Sequence, residues 1–330
     1  MSVQADEILY YKSLVVSDAA GNGGRMSANE IVDGAARNVF NTVGESERTA
    51  GSTKYRKVFI KVANDDDLPG SEPKVVLDRY TLGDDIVTFI PGTQTDVQSA
   101  IAGTQYGAGK LDANVVATAT TLDILVEDGT NHTFVNGASI RISDMADVQA
   151  SGNEEFVTIS GAPSVLGDVV SITFTPALAN NYSASNTYVQ RVYTPPADVE
   201  ATIDNVVVTS AAGTFDDDFL LPDAIGGIED VITATFTSAT AFTLVGAVAG
   251  ALGVGSVGAG AAPVNADFGK PRFVIQSAGF GGTFVAGNTI VFQTHPAAVP
   301  IWLKRLVPAG AGPFTANECV LALICETSAS

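Results

Sequence analysis

Histidine and cysteine are nearly missing from this chain, with two of each in 330 residues. His132 sits in GTNHT and His295 precedes Pro296, so neither stands beside a nucleophile motif. That scarcity leaves Ser-His-Asp or Cys-His catalysis and His/Cys zinc binding without material. Cys319 and Cys325 lie six apart in an apolar run that reads as one strand. At about 3.3 Å per residue their Cα atoms are roughly 20 Å apart, beyond disulfide reach. They are expected to be buried thiols of a chain made in the cytoplasm. The first residues, MSVQADEILYYKS, lack the basic start and apolar core of a secretory signal.

Positive charge is also scarce: 17 Lys and Arg against 36 Asp and Glu give a formal charge of −19. The 78 residues between Arg191 and Lys270 hold no basic side chain and ten acidic ones. A chain of that balance has no electrostatic footprint for DNA, RNA or anionic lipid. The first 61 residues differ, with eight basic and seven acidic side chains. From Val231 to Ala266 there is no charge, but Gly246, Gly250, Gly253, Gly255, Gly258 and Gly260 break the run, so a membrane-spanning helix is not expected.

Helical periodicity is confined to two short segments. One opens at Ser27 with Glu30 in capping-box spacing and ends near Phe40; the other runs from about Thr95 to Gly103. Alternation fills the rest. Leu122, Ile124 and Val126, then Val170, Ile172 and Phe174, then Ile232, Ala234 and Phe236 recur at period two among Thr, Ser and Asp, the mark of half-buried strands. Turn pairs such as Asp128-Gly129 and Asn136-Gly137 separate them. The fold class is therefore mainly β: antiparallel barrel or sandwich domains with two short helices, including an inserted small β domain. That insert is placed at residues 112–192, between Gly107-Ala108-Gly109 and Pro195-Pro196. Residues 1–111 and 193–330 are expected to combine into a β-rich assembly body, three domains in series being the alternative.

Several motifs carry less chemistry than their letters suggest. Gly253-Val254-Gly255-Ser256-Val257-Gly258 matches GxGxxG, yet Ala259 to Pro263 offers no helix to hold a pyrophosphate. Asn64-Asp65-Asp66-Asp67 and Asp216-Asp217-Asp218 lack the alternating ligands and distal glutamate of an EF-hand. They read as exposed turns. No catalytic residue, cofactor or metal is expected. The basic residues Arg48, Lys54, Arg56, Lys57 and Lys61 fall beside Tyr55 and Phe59, with Tyr55, Lys57, Phe59 and Lys61 on one face of a strand. Within an acidic protein this strip is read as a salt-bridge surface between subunits. In HPAAVPIWLKRLVPAGAGPF, prolines 296, 300, 308 and 313 restrict a central strand to Ile301–Val307. Trp302, Lys304 and Arg305 are interface candidates there, since Trp and Arg favour interface hot spots.

Three stretches together resemble virion structural proteins of tailed bacteriophages: GNGGRMSANEIVDGAARNVFNTVGESERTAGSTKYRKVFIKVAND, the region from LVEDGTNHTFVNGASIRISD through EEFVTIS, and PAAVPIWLKRLVPAGAG. The resemblance implies a non-enzymatic, copy-repeated protein of the virion, made in the host cytoplasm. Its partners would be copies of itself and other virion proteins, without nucleic acid or membrane span. A tail or baseplate component forming a ring or trimer is the expected form. Capsid decoration at the head exterior, a carbohydrate-binding adhesin module and a glycan-cleaving enzyme are the rivals.

Overall fold

The computed structural model describes residues 3–81, 83–315 and 317–326. The fold is mainly β, with 48% strand, 6% helix and several antiparallel sheets. The chain begins with β1 (Ile8–Val15), β2 (Gly23–Glu30), β3 (Ser52–Val62), β4 (Ser71–Arg79) and β5 (Ile86–Pro91), then leaves this body at Tyr106. The expected helix from Ser27 to Phe40 does not form. Ser27 and Glu30 belong to β2, which pairs with β1, and that pairing outweighs a capping-box spacing. The α-helix of the described residues is instead α1 (Glu45–Ala50), while Thr95 to Gly103 supplies only a 3-10 turn at Gln98–Ala100.

A closed barrel follows. Its strands are β6 (Ala108–Leu111), β7 (Thr121–Leu125), β8 (Ser139–Ser143), β9 (Glu154–Ile159), β11 (Val169–Thr175) and β12 (Tyr188–Arg191), with β10 (Ser164–Leu166) as an outer hairpin arm on β11. β11 pairs with both β7 and β9, which closes the ring of six. The alternating apolar side chains all point into it: Leu122, Ile124, Ile140, Ile142, Val170, Ile172 and Phe174 share one core. Closure leaves only β10 with a free edge in this module.

After the barrel, residues 193–199 touch the body again through Tyr193 opposite Val75 and Val199 opposite Gly70. The next module was assigned to the body from sequence, but it gathers around a core of its own. Its main sheet has the order β13-β23-β16-β17-β18, formed by β13 (Thr202–Thr209), β16 (Asp230–Phe236), β17 (Ala241–Gly246), β18 (Gly250–Ser256) and β23 (Thr289–His295). Short pairs pack beneath it: β14 (Gly213–Phe215) with β22 (Phe280–Gly282), and β15 (Leu220–Pro222) with β21 (Phe273–Ile275). A further pair joins β19 (Val264–Asn265) to β20 (Lys270–Pro271). Phe236 stacks on Phe284 at 3.9 Å between ring centroids, and Phe242, Phe273 and Phe292 complete the aromatic core.

The chain then returns through β24 (Ala298–Val307) and β25 (Val320–Glu326). β24 enters between β3 and β5, giving the body sheet β2-β1-β3-β24-β5, and β25 pairs with β4 in a second layer. Val58, Ile60, Phe89, Ile301 and Leu303 from the sheet meet Val75, Leu77 and Leu323 from the second layer. The expected central stretch of Ile301–Val307 holds at its start and stops one residue early at its end, Val307 pairing only with β3. Ile301–Leu306 pair on both sides, whereas Ala298, Val299 and Pro300 pair only with β3. Both thiols are free, and burial raises Cys319 to about 12 and Cys325 to about 11.

Candidate interaction surfaces and the cleft between modules

The strip assigned to subunit contact lies largely inside the chain's own fold. β3 does alternate as expected, Arg56, Val58 and Ile60 facing the second layer and Lys57, Phe59 and Lys61 facing away. The second face is covered as well, because β2, residues 92–98 and the Phe268 loop close over it. Lys57 is buried, with Nζ 2.7 Å from Asp96 Oδ1 and donating to the carbonyls of Gly24 and Asp96. Burial lowers its pKa, and the hydrogen bond and charge of Asp96 oppose that. Lys61 is 0% exposed; it donates to the Ile225 carbonyl and stands 4.2 Å from the Phe268 ring centroid. Desolvation pulls it down to about 8.

Trp302 belongs to the same buried assembly. It pairs with Lys57 across β24 and β3, and its Nε1 donates to Asp96 Oδ2 at 2.7 Å, so one carboxylate holds both an ammonium and an indole. Gly23 is needed beside it: a Cβ there would come within 2.5 Å of the indole, and the backbone has φ of +109°. Arg56 and Arg305 are buried too, their guanidinium groups 5.7 and 4.8 Å from the Phe40 ring centroid. Arg56 bonds Asp18 at 2.7 Å, and Arg305 donates to the Asn41 carbonyl. Lys54 pairs with Glu47 and Asp18, while Arg48 sits half-buried in the last turn of α1. Lys304, half-buried, donates to Gln105 Oε1.

One group that the sequence reading did not single out joins barrel to body. Arg141 of β8 is buried between Asp78 of β4 and Glu154 of β9, tying barrel to body through a charge that water cannot reach. Gln190 Nε2 donates to the Asp78 carbonyl at 3.0 Å beside it. Within the β16 module, at one end of its sheet, His295 bonds Glu229 through Nδ1 at 2.8 Å and Asp204 through Nε2 at 3.3 Å. Burial opposes its proton, but the hydrogen bonds and charges of Glu229 and Asp204 outweigh that and raise the pKa. The signals were present only as an isolated Arg and an isolated His, without local pattern.

A cavity of about 430 Å³ opens between body and barrel, lined by Tyr80, Thr88, Glu127, His132, Arg191 and Lys304 among others. Arg191 is committed there, donating to the carbonyls of Thr133 and Gln105 and stacking 4.9 Å over Tyr106. His132 is depressed by burial. The Glu127 carboxyl is pushed up to about 7, first by desolvation and then by Asp84, Asp168 and Asp85.

The GxGxxG residues form the end of β18 and a turn closed by Gly260 N donating to Ser256 O at 2.7 Å, so no helix follows the strand. Gly255 allows close approach, since a Cβ would lie 2.3 Å from the Phe242 ring. Asp216, Asp217 and Asp218 bring their carboxylates within 4.8 Å of one another on an exposed turn. The Asn64–Asp67 turn is structural: Asn64 Oδ1 accepts from Asp66 N and Leu68 N, and Asp67 Oδ1 accepts from Ala224 N at 2.7 Å. Among the described residues no helix is long and apolar enough to cross a membrane. No protein-family model and no curated protein matches this chain.

Proposed function

We propose that this chain is a non-enzymatic structural protein of a tailed-bacteriophage virion, a tail or baseplate component that works in repeated copies. One observation carries the reading. The two outer stretches that resemble such proteins pair with each other: β3 and β24 meet along ten residue pairs, from Ser52 opposite Val307 to Lys61 opposite Ala298. Those two stretches therefore meet in the central sheet that bears the rest of the molecule, while the third lies in the barrel.

The architecture suits mechanical work. Two compact modules are inserted into one body, and buried ion pairs fix one of them at its root. Head decoration is the alternative position. The cleft beside Arg191 is the feature that favours a carbohydrate-binding role, and glycan titration followed by chemical-shift changes at its lining would support that role. The decisive test of the main reading is quantitative mass spectrometry of particles purified from lysates of cells carrying this gene. The chain should be present at many copies per particle, and gold-labelled antibody should mark the tail or baseplate. Its absence from purified particles would sink the proposal.

A further inference from the structure

The outer face of the β13-β23-β16-β17-β18 sheet is ordered into uncharged rows that run across all five strands. Register places Thr209, Thr289, Thr235 and Thr243 side by side, ending at Val254, which is 79% exposed. The adjacent row is Val207, Val291, Thr233, Val245 and Ala251. Val207 and Val245 are exposed, whereas the alternate residues Ile232, Ala234, Phe236, Phe242 and Leu244 fill the core below. Charge reappears only at the end of the sheet where Asp204 meets His295 and Glu229.

We infer that this face is a contact between copies of the chain, an assignment that rests on the copy-repeated reading above. Two molecules of charge −19 repel wherever acidic surfaces meet, so an uncharged face offers the least costly approach. Neither row holds a basic residue with which to draw in an acidic partner, a nucleic acid or an anionic membrane. Both rows lack the aromatic platform a glycan would stack on. Threonine hydroxyls donate and accept, so a threonine row complements itself in either direction. Sheets also pack face to face through β-branched side chains.

Five strands at about 4.8 Å and roughly five residues at 3.3 Å span about 400 Å² per copy. That is half of the ~800 Å² per partner found in stable interfaces, so the contact is weak in isolation and gains strength by repetition.

The test is sedimentation velocity of the full chain over a concentration series at low and high salt, with three variants. Wild type should associate reversibly, and more strongly as salt screens the repulsion. Val245→Glu and Val245→Lys should each weaken association at least tenfold with unchanged melting, because a charge on a self-facing surface meets its own copy. Leu166→Glu, on the barrel arm, should leave association unaltered. Oligomers that survive both Val245 variants would overturn this face while leaving the assembly reading intact. Stronger association of Val245→Lys would mean that an acidic surface docks there, and would overturn the self-contact. A wild type that stays monomeric at every concentration and salt would overturn the contact, whereas absence of the chain from purified particles is what would remove the copy-repeated reading.

Discussion

The strand β3 and the sheet built on β16 invert the usual placement of side chains. β3 carries Arg56, Lys57 and Lys61 and buries all three, while the sheet around β16 leaves its Val and Thr rows to solvent. Polarity did not decide either outcome. What decided it was cover: β3 has strands on both sides, the β4–β25 layer on one face and β2 with packed loops on the other, so its lysines had to find Asp96, backbone carbonyls and aromatic rings. The β16 sheet has one packed layer, and among the described residues no element of the chain lies above its second face. A strand's charges therefore report less about its surface than the number of layers around it does.

The comparison is broken most severely at Asp96. Asp96→Ala strands the Lys57 ammonium and the Trp302 N–H in the interior, and should cost about 3–5 kcal/mol, measured as a lowered denaturation midpoint. Asp96→Asn keeps an acceptor and should lose less. A loss no larger than that of a surface substitution would show that water reaches the site.

Lys61 gives a sign reversal. Its folded pKa of about 8 lies below the ordinary 10.5, so the cost of burying its charge is fully present below pH 8. As pH rises from there toward 10.5 the folded state releases a proton that the unfolded chain keeps, and this group's contribution to stability improves. Lys61→Met should be as stable as wild type at pH 7 or about 1 kcal/mol more so, and should lose that alkaline gain. Urea titrations at pH 7 and pH 10 check both statements; a variant that unfolds more readily at both would refute them.

His295 should act with the opposite sign and less strongly. Its pKa is raised above the usual 6.5, so its stabilising bonds to Glu229 and Asp204 are fully present below that value and fade as pH rises through the folded pKa. His295→Gln should lose about 0.5–1 kcal/mol at mildly acidic pH and very little above neutrality. An equal loss at both would mean that shape, and not charge, is what His295 supplies. The smallest effect belongs to the exposed sheet. Val254→Lys should alter monomer stability by no more than ~0.5 kcal/mol, read by thermal melting at low concentration.

Much of the fold was legible because alternation is a local signal. Leu122–Val126, Val170–Phe174 and Ile232–Phe236 all place their apolar residues inward, as period two requires. The insert beginning at residue 112 was short by one strand, since β6 is only four residues long and includes Gly109. The helix expected at Ser27 was lost to pairing with β1, a partner that capping residues cannot reveal. The burial of Lys57, Lys61 and Trp302 was illegible for a related reason. Asp96 lies 39 residues from Lys57 and 206 from Trp302, and no spacing rule links them. The Thr and Val rows were visible strand by strand, but their alignment is a property of register.

The insertion of β24 between β3 and β5 has a consequence for synthesis. The ribosome makes β3 more than two hundred residues before the strand that must lie beside it, so barrel and β16 module can fold while the body sheet still has a gap. Through that interval VFI of β3 is an exposed hydrophobic edge, the kind of segment that joins other nascent chains. Lys57 and Lys61 flank those three residues. Charges that are a burden in the finished molecule thus guard an unfinished one, and their neutralisation should be felt first as aggregation during expression rather than as a change in the folded protein.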